Sequence, residues 1–201
     1  MAPASATSAP DPGDAERVLA GAPFRWWIAG GWALDLFAGA PIRPRKDVDI
    51  AVLRDEQHRL RAHLPEWRFE VAVSDRTLVE WLPGTRLDAP LHEIWASPAA
   101  GGSLALEFLI NESAGDQWLY RRDRRVSYSL ATLTASRAGD VPVLPPEIVL
   151  LYKAKHRRPE DERDFDLTLP LLAPAAFVWL AAALDLTEPG HPWSAAIQRR
   201  R

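Results

Sequence analysis

The chain has 201 residues, a formal net charge of −3, 47% hydrophobic residues and no cysteine. That length fits one domain, or one domain with a small appendage, and suffices to bury a sizeable core. The missing cysteines exclude disulfides, thiolate metal sites and cysteine nucleophiles. The weak net charge excludes a generally basic, nucleic-acid-coating protein, so any polyanion has to be met by a local basic cluster.

Residues 1–13 are rich in Pro and Ala without periodicity and are expected to form a disordered tail. They lack the basic and then apolar pattern of a signal peptide. No apolar run reaches the roughly 20 residues that span a bilayer; the stretch 171–186 is broken by Pro174. The expected location is cytoplasmic, with no membrane partner. A short helix over 15–20 and a buried strand over 24–29 come next. Gly30 and Gly31 break the strand, 32–38 reads as a helix, and 41–46 is a basic loop. A strand is expected over 48–53, a helix over 55–63 and another strand over 67–73. Strands over 91–96 and 104–110 flank a turn at 99–102. Two weaker strands are expected over 118–121 and 131–136. Pro145-Pro146 opens a helix running to about residue 156. Pro159 opens the next, and 175–184 forms a third. The expected fold class is α/β in the α+β sense: a mixed sheet flanked by helices over 14–144, then a small C-terminal helical segment over 145–201.

The chemistry is concentrated in the carboxylates. In Asp47-Val48-Asp49-Ile50-Ala51-Val52-Leu53, side chains alternate across a strand, so Val48, Ile50 and Val52 share an apolar face and Asp47 and Asp49 the other. Two carboxylates about 7 Å apart along a strand suit magnesium, which takes one or two carboxylates together with substrate phosphates. The same pair also fits two solvated acids at a strand start. Glu107 stands mid-strand in Leu104-Ala105-Leu106-Glu107-Phe108-Leu109-Ile110. A carboxylate among such neighbours needs a cation, or its pKa rises. That cation is either an arginine or the metal of Asp47 and Asp49. Glu93, in His92-Glu93-Ile94-Trp95, is the rival for the third position; Glu107 is preferred because its strand is longer and more apolar.

The phosphate side is read from Gly30-Gly31, between a strand and a helix start, where glycine admits a phosphate and the helix N-terminus offers N–H groups. Arg43, Arg45 and Lys46 precede the aspartates. Lys153 and Lys155 lie on the predicted helix ending near 156. These last two either meet a triphosphate or pair with Glu160, Asp161, Glu162 and Asp164.

Together, Gly30-Gly31-Trp32-Ala33-Leu34-Asp35 and Arg45-Lys46-Asp47-Val48-Asp49-Ile50 resemble the start of the nucleotidyltransferase superfamily that includes DNA polymerase beta. The resemblance is nearest to aminoglycoside 2''-nucleotidyltransferases and lincosamide nucleotidyltransferases. Leu150-Leu151-Tyr152-Lys153-Ala154-Lys155, Arg158, Asp161 and Asp164-Phe165 extend it into the helical segment. It implies two magnesium ions held by Asp47, Asp49 and Glu107, with ATP or another nucleoside triphosphate as donor. It also implies a small hydroxylated acceptor and pyrophosphate release. Two departures stand out: Gly31 where many members have Ser, and Glu107 where Asp is frequent. The competing expectations are transfer to a protein or an RNA, and a non-catalytic nucleotide-binding module. The net charge disfavours nucleic acid.

Overall fold

The computed structural model describes residues 9–74 and 77–199. Residues 1–8 of the expected tail lie outside them. The chain divides into two compact units. One comprises the residues up to Trp26 together with Arg45–Asn111, the other Trp27–Pro44 with everything from Glu112 onward. The expected boundary near Leu144 therefore falls inside the second unit.

The first unit begins with α1, Pro12–Val18. It starts inside the stretch read as a tail, because Asp11 caps the Asp14 N–H and Pro12 suits a first helical position. The chain passes to the second unit through β1, Trp26–Ile28, and α2, Gly30–Ala38. It returns with β2, Asp49–Leu53, a 3-10 turn at Arg54–Glu56 and α3, Gln57–His63. Then come β3, Trp67–Ser74, β4, Thr77–Glu80, β5, Glu93–Pro98, and β6, Leu106–Ala114. Parallel β2 and β6 lie side by side, β5 runs antiparallel to β6, and β3 is antiparallel to both β5 and β4. Side chains of period two separate the faces. On one face Ile50, Val52, Phe69, Val71, Ile94, Ala96, Leu106, Phe108 and Ile110 are buried, each large side chain contributing about 1.5–3 kcal/mol. Phe69 meets Trp81 edge-on at 5.6 Å. The other face carries Asp49 and Glu107, with buried Ala51 and Leu53 further along β2.

The approach to β5 is pinned from the turn after β2. Buried Arg54 donates to the carbonyls of Leu87 (2.8 Å) and Leu91 (2.9 Å). Gln57 accepts from the Leu87 N–H at 2.7 Å and donates to its carbonyl at 3.2 Å. These buried polar groups are satisfied, so they fix the loop rather than weaken the core.

In the second unit the end of β6 pairs with β7, Gln117–Leu119, and β7 with β8, Ser127–Ser129. α4, Leu130–Ala135, occupies the stretch expected as a weak strand. The Thr-Leu-Thr alternation there is overridden by Ser129, whose hydroxyl caps the Thr132 N–H at 3.3 Å. A small hairpin of β9, Arg137–Ala138, and β10, Val141–Pro142, leads to the helices α5, Pro146–Ala154, α6, Pro159–Thr168, α7, Pro174–Thr187, and α8, Pro192–Gln198. Proline opens all four of these helices, where its missing N–H is harmless. α5 packs against α2, α6 and α7, so Ile148, Val149, Leu150 and Leu151 are all buried instead of forming a single stripe. Among the described residues no helix is long and apolar enough to cross a membrane.

Candidate active site

In the first unit, Asp49 on β2 lies directly opposite Glu107 on β6. Paired residues on neighbouring strands share a face, and the two side chains share a hydrogen bond. Asp47 does not extend the strand, which starts at Asp49. It stands exposed in a bend two residues earlier and still repels Glu107. Trp95 on β5 is the other neighbour of Glu107. Its indole N–H donates to Glu93 at 3.1 Å. The Glu107 carboxyl is pushed up to about 9, first by burial, then by Asp49, Glu93 and Asp47. Glu107 is thus the acid that pairs with Asp49 across the strands. Glu93, the rival, is a fourth acid on the same sheet face, opposite Leu109.

The register carries this face further. Trp95 is opposite Glu70 on β3, and Glu70 is opposite Glu80 on β4. Asp49, Glu107, Trp95, Glu70 and Glu80 therefore form one transverse row across five strands. The sequence reading missed this row, because cross-strand register is not written in the spacing of any single strand. Glu70 is joined by Arg68 at 2.6 Å in an exposed pair.

No three His, Asp or Glu among the described residues converge into a ready-made metal cage. Magnesium does not require one, since it keeps waters and takes phosphate oxygens beside one or two carboxylates. A buried carboxyl whose main neighbours are carboxylates fits a divalent cation better than any other group the sequence implies, because a cation reverses each of the repulsions acting on Glu107.

The second unit holds the glycine turn and three of the expected cations. Gly30 has φ +55°, a region open to glycine without steric cost, and it begins α2 together with Gly31. Ala29 precedes them and gives no side-chain cap to the first N–H groups. Arg43 donates through Nε (3.3 Å) and Nη2 (3.4 Å) to the two oxygens of Asp164. Lys153 bridges Asp161 and Asp164, at 2.9 Å from each. Arg158 closes the group with its Nε 2.9 Å from Asp161. Both aspartates are 0% exposed. Burial alone raises the Asp161 pKa, but hydrogen bonds from Arg158 and Lys153 outweigh it and leave the value lowered. Of the two possibilities read for Lys153, pairing with acidic residues is the one observed. Lys155 is exposed at the end of α5. Arg45 and Lys46 belong to the first unit, half-buried and exposed, immediately before Asp47.

One role in this unit is not legible in the motif that contains it. Asp35 on α2 is buried and accepts the Ile42 N–H at 2.9 Å. Its place on an apolar helix was the available signal, since a buried acid there needs a donor.

The fold these elements build is similar to that of two solved structures of ANT(2'')-Ia. A crystal structure of ANT(2'')-Ia in complex with adenylyl-2''-tobramycin matches over 85% of this chain and 92% of its own, with 18% identity and TM-score 0.51. The solution structure of the antibiotic-resistance factor ANT(2'')-Ia matches over 92% of this chain and 91% of its own, with 15% identity and TM-score 0.54. Residues 14–85, which include the glycine pair and both aspartates, match the family model described as aminoglycoside-2''-adenylyltransferase. Over that segment the chain is similar to the aminoglycoside-2''-adenylyltransferases, the group its motifs resemble. No curated protein matches it in sequence.

Proposed function

We propose that this chain transfers a nucleoside monophosphate, AMP from ATP, to a hydroxyl of an aminoglycoside-like amino sugar and releases pyrophosphate. The observation that carries this reading is the in-register pairing of Asp49 with Glu107, with Asp47 and Glu93 near enough to repel the same carboxyl. Asp47, Asp49 and Glu107 would hold two magnesium ions, which would supply positive charge to neutralise the phosphates. Glu107 takes the proton of the acceptor hydroxyl as its oxygen bonds to the α-phosphorus. The bond from that phosphorus to the β-phosphate bridge breaks, and pyrophosphate leaves with the electron pair. Gly30 and Gly31 offer backbone N–H groups to phosphate, and Arg43, Arg45, Lys46 and Lys155 supply charge. Lys153 can join them only by giving up a carboxylate. The transverse row of Glu107, Trp95, Glu70 and Glu80 favours a polycationic sugar over a lincosamide: the acids match ammonium groups and the indole matches an apolar sugar face. The location expected is the cytoplasm, where ATP is available.

The test is pyrophosphate release from each magnesium–nucleoside triphosphate with aminoglycosides, lincosamides and RNA as acceptors. Release with an aminoglycoside supports the proposal. Release only with RNA or a protein target redirects it. Nucleotide binding without any release identifies a binding module instead of an enzyme.

A further inference from the structure

We infer that Asp164 is a positioning residue for nucleotide binding, which aims the Arg43 guanidinium at phosphate. This rests on the proposed nucleotidyl transfer and adds to it a role for a buried acid of the second unit. The segment between α2 and Arg45 is held at two adjacent points. Gly39 ends α2 in a left-handed turn (φ +69°). Asp35 then accepts the backbone N–H of Ile42, and Asp164 takes the side chain of Arg43. Both acids are buried, Asp35 at 5% and Asp164 at 0% exposure, on helices that pack together. One therefore fixes the backbone just ahead of Arg43, and the other fixes the rotation of its side chain.

The geometry of that second hold is specific. Asp164 engages Nε on one oxygen and Nη2 on the other, along one edge of the planar guanidinium. Among the described residues the remaining Nη1 donates to the carbonyl of the neighbouring Pro44, at 3.4 Å. A guanidinium anchored along one edge presents its outer edge in a set direction and loses little further freedom on binding an anion. The Arg43 side chain is 25% exposed, enough for an anion to reach. Lys153 lies against the other side of Asp164 at 2.9 Å. Asp164 is thus held between two cations, and Asp161 between Lys153 and Arg158. Lys153 and Arg158 brace the two buried aspartates, and Asp164 sets the direction of Arg43.

The test compares affinities of the full chain for magnesium–ATP and for AMP by calorimetry, with melting temperature measured beside them. Asp164→Asn keeps the shape and removes the charge. It is expected to lower the ratio of ATP to AMP affinity by about tenfold or more. Arg43→Lys keeps the charge but not the fork, and should lower the ratio similarly. The double variant should fall no further than Arg43→Lys alone, because the two act through one contact. Trp193→Phe supplies the control for instability. Trp193 stacks on Phe165 at 4.1 Å and donates to Glu162, so its loss loosens the same helices but should spare the ratio. If Asp164→Asn melts lower yet keeps the ratio, Asp164 is structural and the inference is overturned. Should Asp164→Asn fail to fold, Arg43→Lys decides, and a wild-type ratio there overturns it equally. A wild-type chain that binds no magnesium–ATP overturns both this inference and the proposed function, whereas binding with an unchanged variant ratio overturns this one alone.

Discussion

Two groups of acids occupy this molecule, and their surroundings are opposite. In the first unit the groups acting most strongly on Glu107 are other carboxylates: Asp49, Glu93 and Asp47. In the second, Asp161 and Asp164 are enclosed by Lys153, Arg43 and Arg158. Glu107 is partly buried and the two aspartates fully, so burial alone does not mark a site. What separates them is the sign of the neighbours. Acids matched by cations hold helices together, whereas acids that repel one another are costly to the fold and persist where a substrate or an ion relieves them.

Substitutions should break this symmetry in opposite directions. The largest effect is expected from Asp49→Asn, which should lower nucleotidyl transfer by roughly a hundredfold to a thousandfold with an unchanged circular dichroism spectrum. Activity persisting both in that variant and in excess chelator would refute the metal-dependent reading. Lys153→Met should act on stability instead. It strips a cation from two buried carboxylates and should cost about 3–5 kcal/mol in urea unfolding. Glu107→Gln should do the reverse in magnesium-free buffer, raising stability by about 0.5–2 kcal/mol while transfer falls. A destabilised Glu107→Gln would mean that the first group is structural after all.

Acid should expose the same contrast. The Asp161 pKa lies below its ordinary 3.8, so its ion pairs stabilise the fold above that value, and the contribution is lost as pH falls through the lowered one. The stability gap between the wild type and Asp161→Asn should therefore shrink on descending from about pH 5 to about pH 2; a constant gap would show that the pairs contribute nothing pH-dependent. The smallest effect belongs to the far end of the transverse row. Glu70→Gln and Glu80→Gln should each raise KM for an aminoglycoside only a few-fold, since exposed charges contribute about 0–1 kcal/mol, and leave kcat unchanged. A change in kcat instead would place them in the chemistry.

The sequence made some of this plain and concealed the rest for physical reasons. Glu107 stood out because an acid flanked by Leu106 and Phe108 is anomalous in a strand, whereas its pairing with Asp49 is set by a register that no single strand reveals. Asp47 was placed on the strand by parity, yet the strand begins two residues later, since element ends are set by tertiary pairing and not by pattern. β4 was missed because its four residues are all exposed, with no buried face to produce a pattern. α4 was read as a strand because alternation and helix capping compete over six residues, and the cap prevailed. The partners of Lys153 and Arg43 were undecidable in one dimension: Arg43 reaches a carboxylate 121 positions away.

The helix that begins at Gly30 lies between two stretches of the first unit in the chain, yet it packs on α5 and α6, more than a hundred residues downstream. Neither unit is a continuous length of polypeptide. Exchanging the end of this protein with that of a relative by a single crossover, at Leu144 for instance, would therefore join α2 of one parent to α5 of the other, along with Arg43 of one and Asp164 of the other. Chimaeras of this chain should be viable only when the short stretch before Arg45 travels with the tail, so the two inherit as a linked pair despite their distance in the gene.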